Sequence, residues 1–87
     1  MQKVFNVYSD PGHGWVRVPR PVLSALGIAD RVTHYSYQRG NFAYLEEDCD
    51  MSLFIQAYRA HTGINPLFRE QSTNKYSKIR GYDRYTI

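Results

Sequence analysis

Four carboxylates stand almost side by side near the middle of the chain: Glu46, Glu47, Asp48 and Asp50. Such a cluster can hold a divalent cation, mimic the phosphates of a nucleic acid, or bind a basic patch on a protein partner. It lacks the spaced oxygen ligands and the glycine of a calcium loop. It also stands where a helix is predicted to begin, and carboxylates there can cap the helix and compensate its dipole. We therefore predict an acidic patch that stabilises the helix start or binds a partner, and no metal site.

Residues 72–87 have the opposite chemistry, because lysines, arginines and tyrosines alternate there with few aliphatic side chains. Basic side chains neutralise phosphates and tyrosine rings stack on bases or sugars, which is the usual physics of RNA or single-strand binding. The structural alternative is that the tyrosines fasten the arm to the domain while the charges face solvent. The residues predicted to bind a nucleic acid or a protein partner are Lys75, Tyr76, Lys78, Arg80, Tyr82, Arg84 and Tyr85.

The remaining reactive residues lack the spacing that catalysis or zinc binding requires. His13, His34 and His61 fall in a predicted turn, strand and helix, and Cys49 is the single cysteine, so no CxxC or HExxH pattern exists. A zinc site from His13, His34, Cys49 and an acid would need a tertiary approach that the sequence does not predict. Neighbouring carboxylates raise the pKa of the Cys49 thiol and weaken it as a nucleophile, whereas a helix start acts in the opposite direction. We predict no catalytic residue and no cofactor.

Composition and charge set the wider limits. At 87 residues, with 43% hydrophobic and 15% aromatic content, the chain has the makeup of one folded domain rather than of a disordered segment. A single cysteine excludes an intramolecular disulfide and favours a reducing compartment. The first residues have no apolar run typical of a signal peptide, so none is predicted, and no apolar stretch approaches the length of about 18 residues of a membrane span. We expect a soluble cytoplasmic protein whose net charge of +3 is divided into an acidic centre, 45–58, and two basic flanks.

Two β-hairpins are predicted to position these residues in an antiparallel sheet. In the first hairpin, strands 3–8 and 15–18 flank the turn 9–14, which contains Asp-Pro and two glycines. The glycines of this turn leave its backbone open to a ligand, although a plain hairpin turn explains them equally. The second hairpin joins strands 31–38 and 42–45.

One main amphipathic helix at about 49–62 is predicted to pack against this sheet, because apolar residues recur there at helical spacing. Asp48 or Asp50 is expected to cap it. A shorter helix at about 21–26 follows the first hairpin, and a last strand at 66–70 would lie at a sheet edge because of its proline. The predicted fold is therefore a small single α+β domain, residues 1–71, followed by the basic arm, residues 72–87.

Three stretches, 8–15, 44–50 and 77–83, resemble a group of short uncharacterised proteins of bacteriophages and bacterial mobile elements. The resemblance implies a bacterial host cell as the setting and assigns no residue a role. It favours a non-enzymatic binding protein that inhibits a host defence complex, of the anti-CRISPR or anti-restriction kind. The partner would then be a host protein or nucleoprotein complex. The alternative is an accessory protein that binds RNA or DNA through the arm together with Arg17 and Arg39. Exposed strand edges also leave room for a homodimer.

Overall fold

The N-terminal residues form the predicted hairpin. In the computed structural model, which describes residues 1–87, β1 (Val4–Ser9) pairs antiparallel with β2 (Gly14–Pro19). The Asp10 carboxylate closes the turn by accepting the backbone N–H groups of Gly12 and His13 at 2.9 and 3.0 Å. The β-branched and aromatic residues of β1 and β2 then place this hairpin at the centre of the sheet.

The second hairpin is shorter than predicted. It consists of β3 (Tyr37–Arg39) and β4 (Phe42–Glu46), joined by a turn in which Gly40 has a φ of +57°. The predicted strand over residues 31–36 is wrong, because that segment forms turns. The backbone N–H and hydroxyl of Thr33 and the hydroxyl of Ser36 donate to the carboxylate of Asp50.

Both predicted helices are present. α1 (Arg20–Ala25) begins with Pro21 in its first turn, and α2 (Met51–Thr62) ends at Gly63, which has a φ of +79°. Asp50 occupies the predicted N-cap position of α2, but its carboxylate makes no capping hydrogen bond to the helix and accepts from Thr33 and Ser36 instead. Neither helix is long and apolar enough to cross a membrane.

The sheet is mixed and has six strands in the order β5-β1-β2-β4-β3-β6, so the antiparallel sheet predicted from two hairpins is wrong. β5 (Leu67–Ser72) lies at one edge, as predicted, but runs parallel to β1. At the other edge, β6 (Asp83–Arg84) pairs antiparallel with β3. The α+β class is confirmed.

The two faces of this sheet carry different side chains. The inner face packs against both helices around one apolar core, which comprises Phe5, Val16, Val18, Leu23, Ile28, Val32, Ala43, Leu45, Phe54, Tyr58 and Tyr85. The outer face carries a smaller aromatic cluster built on Trp15, Tyr44 and Ile79. Because Ile79 and Tyr85 both come from the C-terminal arm, the arm crosses the outer face and then returns to the inner core.

Candidate nucleic-acid interface and adjoining cleft

Strand register gathers arginines and aromatic rings on the outer face. Side chains alternate between the faces of a sheet, so residues that pair directly across neighbouring strands share a face. The pairing Arg17–Tyr44–Tyr37–Arg84 crosses three strand boundaries on the outer side, and Arg39 pairs with Phe42 on the same side. On the far edge, Arg69 pairs with Asn6 and extends the same surface onto β5.

The arginines of the outer face lie over aromatic rings rather than beside carboxylates. The guanidinium of Arg17 lies 4.6 Å from the ring centre of Phe42, and that of Arg84 lies 4.7 Å from Tyr37. Arg39 lies 5.1 Å from the ring of Tyr82. None of these three arginines has a carboxylate within salt-bridge distance. Their charges are therefore held in place by cation–π contacts and remain uncompensated by an acidic neighbour.

Three adjoining depressions follow the outer face, with volumes of about 360, 360 and 140 Å³. Arg17 lines both the first and the smallest, whereas Tyr8 and Lys78 line both the smallest and the third. No carboxylate lines any of them. The basic side chains that do are Arg17, Arg69, Lys75 and Lys78. The depressions form a continuous basic track, which we call the outer groove.

The structure divides the predicted basic arm between surface and interior. Lys75, Tyr76 and Lys78 are exposed along the outer groove, and Tyr76 is 82% exposed. Tyr82 packs against Tyr44, with ring centres 5.1 Å apart. Tyr85 is buried in the inner core and donates its hydroxyl to the backbone carbonyl of Ala29 at 2.5 Å. Burial raises the pKa of Tyr85.

Arg80 holds the arm to the first hairpin turn. Its Nε and Nη2 donate to Asp10 at 2.6 and 2.8 Å, a bidentate ion pair. The Arg80 guanidinium holds the pKa of Asp10 well below its usual range, and the same hydrogen bonds raise the pKa of Arg80. Sequence reasoning missed Asp10, since nothing in the sequence links two residues so far apart along the chain.

The four predicted acidic residues do not share one surface. Asp50 is 1% exposed and accepts hydrogen bonds from the Thr33 backbone and hydroxyl and from the Ser36 hydroxyl, at 2.5–3.0 Å. Glu46 is also buried. Glu47 and Asp48 are exposed, so the acidic surface that a partner could meet consists of these two residues.

Beyond one end of the outer groove lies a cleft of about 390 Å³, which we call the acidic cleft. Its lining residues are His13, Trp15, Tyr35, Tyr37, Glu46, Asp48, Cys49, Arg80 and Arg84. His13 and Cys49, which the sequence leaves apart, meet here, whereas His34 stacks on Tyr35 and is absent from the lining. Burial, followed by the carboxylate of Glu46, raises the pKa of the Cys49 thiol, which disfavours its nucleophilic form.

Comparison of the chain with models of known protein families, with curated proteins and with solved structures finds no significant match. The resemblance to phage and mobile-element proteins therefore stays a prediction.

Proposed function

We propose that this protein binds single-stranded nucleic acid, RNA or DNA, in the outer groove. The observation that carries the proposal is a continuous track of basic side chains and aromatic rings whose lining contains no carboxylate. A polyanion meets attraction along the whole track and no opposing charge. The carboxylates of the chain line the acidic cleft, are buried with hydrogen-bond partners at Asp10 and Asp50, or are exposed outside the three depressions.

The basic side chains and the aromatic rings of the outer groove supply different parts of the recognition. Arg17 and Arg69 at one end, and Lys75 and Lys78 at the other, can neutralise phosphates. Between and beside them, exposed aromatic surface can stack on bases without regard to sequence, above all the ring of Tyr76. A domain with a longest dimension of 36 Å suits a short site, of about four to six nucleotides.

Fluorescence anisotropy with end-labelled RNA and single-stranded DNA oligonucleotides tests this function. The four groove cations predict a plot of log affinity against log salt with a slope of about −3, since each phosphate contact on a single strand contributes about −0.7. Absence of binding at about 50 mM salt, or a slope near zero, would contradict the proposal.

A pair of charge-matched variants separates the groove from overall charge. The groove variant carries Arg69→Glu, Lys75→Glu and Lys78→Glu, three exposed positions that make no side-chain hydrogen bond or salt bridge. The control variant carries Lys3→Glu, Arg31→Glu and Arg59→Glu, which are equally exposed and line none of the depressions. Both variants have the same net charge. We expect the groove variant to lose binding and the control to retain most of it; equal losses would show that only net charge matters.

The inhibitor of a host defence complex is a second candidate function. The exposed pair Glu47 and Asp48 supports it, because both carboxylates are free to meet a basic surface on a partner. Glu47→Lys with Asp48→Lys is the appropriate test, since reversal of the buried Glu46 or Asp50 would disturb the fold as well. Capture of a partner from nuclease-treated host lysate should be lost with this double variant and retained by the groove variant. Capture that survives in the double variant would remove this candidate.

A further inference from the structure

Three potential metal ligands meet in the acidic cleft. One ring nitrogen of His13 and one carboxylate oxygen from each of Glu46 and Asp48 lie within 4.8 Å of one another. Nδ1 of His13 and Oε1 of Glu46 are 3.3 Å apart. Two ligands held at about 2.0–2.2 Å from a tetrahedral ion stand about 3.3 to 3.6 Å from each other, so this pair has the spacing of two ligands on one ion. Asp48 is exposed and free to close the remaining distance.

The fold fixes Glu46, the ligand at the centre of this set. Its backbone N–H donates to the Ser36 hydroxyl at 3.0 Å, and its Oε2 accepts the backbone N–H of Asp48 at 2.8 Å. The second of these bonds occupies one carboxylate oxygen and directs the other toward His13. Hydrogen bonds of this kind orient the ligands in known metal sites.

A second observation concerns the wall of the same cleft. Trp15 is 1% exposed and lines the cleft, and its Nε1–H is the one buried side-chain polar atom without a hydrogen-bond partner. A buried donor without an acceptor is costly, and native structures rarely leave such a group unpaired. Arg84, which also lines the cleft and has no carboxylate partner, adds positive charge on this side. An anion bound to an ion in the cleft would offer an acceptor to the Arg84 guanidinium.

We infer that His13, Glu46 and Asp48 form a binding site for a divalent transition-metal ion. One imidazole nitrogen with two carboxylates suits Mn²⁺, Fe²⁺, Co²⁺ or Zn²⁺ and is a poor match for Ca²⁺, which takes oxygen ligands throughout. Three protein ligands leave at least one position of the ion for a water or an oxyanion. The inference goes beyond nucleic-acid binding and does not depend on it.

The single tryptophan makes the site directly measurable. The ring of Trp15 lies 6.1 Å from that of His13, so a paramagnetic ion bound by His13 will quench the fluorescence of Trp15. Titration of the protein alone with Co²⁺, without any nucleic acid, should give saturable quenching that excess Zn²⁺ reverses and excess Mg²⁺ or Ca²⁺ does not. The absorption spectrum of bound Co²⁺ will also show whether the Cys49 thiolate joins the ligands.

Substitutions at exposed positions test metal binding without disturbing the fold. We expect His13→Ala and Asp48→Asn each to weaken Co²⁺ binding by more than about tenfold. The matched controls His34→Ala and Asp30→Asn, exposed residues outside the cleft, should bind as the wild type does. Linear quenching without saturation, equal affinity in the His13→Ala and His34→Ala variants, or preference for Mg²⁺ or Ca²⁺ would each overturn the inference.

Discussion

Asp10 joins the first hairpin turn to the C-terminal arm. Its carboxylate accepts backbone N–H groups from Gly12 and His13 within the turn and from Ser77 in the arm, in addition to the two bonds from Arg80. Five donors directed at one carboxylate favour its charged form strongly over its protonated form. The ionisation of Asp10 therefore contributes to holding the arm, together with the packing of Ile79 and Tyr85.

This dependence predicts a specific response of stability to pH. Because the pKa of Asp10 is lowered in the folded state, its stabilisation is complete above the unfolded-state value of about 3.9 and declines as the pH falls below it. Asp10→Asn should lower the free energy of unfolding at pH 7, and its difference from the wild type should shrink toward about pH 3. Urea denaturation at both pH values measures this. A difference of the same size at both would contradict the prediction, and Asp30→Asn, at an exposed position, serves as the control.

Among the helices and strands, the sequence predicts those whose signals lie within a few neighbouring residues. The spacing of Met51, Phe54, Ile55 and Tyr58 predicts α2, and Gly63 marks its end. The turn residues of both hairpins predict β-strands on either side. Parallel pairing of β5 with β1 cannot be predicted in this way, because neither the partner nor the register of a distant strand is written in local periodicity.

Residues 31–36 show how a tertiary contact overrides local propensity. Val32, Thr33 and Tyr35 favour a strand by residue type, but the Asp50 carboxylate binds the Thr33 and Ser36 polar groups and holds the segment in turns. The same contact removes Asp50 from the predicted acidic surface. One buried carboxylate thus accounts for an error in the fold and for a revision of the site.

Two tyrosines of the C-terminal arm are expected to affect different properties: Tyr85 the stability of the fold, and Tyr76 the binding of oligonucleotides. Tyr85 lies in the inner core, so Tyr85→Ala should lower the free energy of unfolding by about 3–5 kcal/mol, as for other large aromatic side chains. Tyr85→Phe removes only the hydrogen bond to Ala29 and should cost about 1 kcal/mol. Tyr76→Ala, at a highly exposed ring, should leave stability within about 0.5 kcal/mol of the wild type and weaken binding to single-stranded oligonucleotides.

Urea denaturation and anisotropy measure the two properties independently in the same three variants. Full oligonucleotide affinity in Tyr76→Ala would contradict the role of this ring, and an unchanged midpoint in Tyr85→Ala would contradict the position of the arm. Deletion of residues 73–87 is not a clean test of binding, because it also removes Ile79 and Tyr85 from the two clusters.

Over the whole molecule, the proposed site combines residues that the sequence marks with residues that only the fold brings together. Arg17, Arg39 and the arm are recognisable from composition and charge as nucleic-acid candidates. Their convergence depends on strand register and on the path of the arm, and Arg69 joins them only because β5 pairs with β1. The acidic cleft depends on the fold even more, since His13 directly precedes β2 and Glu46 ends the neighbouring strand β4, 33 residues further along the chain.

Strands β2 and β4 contribute residues to both hydrophobic clusters, which predicts that the molecule unfolds as one unit. On β2, Trp15 belongs to the outer cluster and its neighbour Val16 to the inner core. On β4, Tyr44 likewise belongs to the outer cluster and Leu45 to the inner core. Neither cluster can come apart without disturbing the strands of the other. We therefore expect a single cooperative transition in urea, in which Trp15 fluorescence reports the outer cluster and far-ultraviolet circular dichroism reports the helices packed on the inner core. The two midpoints should coincide in the wild type and shift together in Tyr85→Ala, although Tyr85 touches only the inner core. Loss of the fluorescence signal at a lower urea concentration than the helical signal would show that the arm and the outer groove open independently.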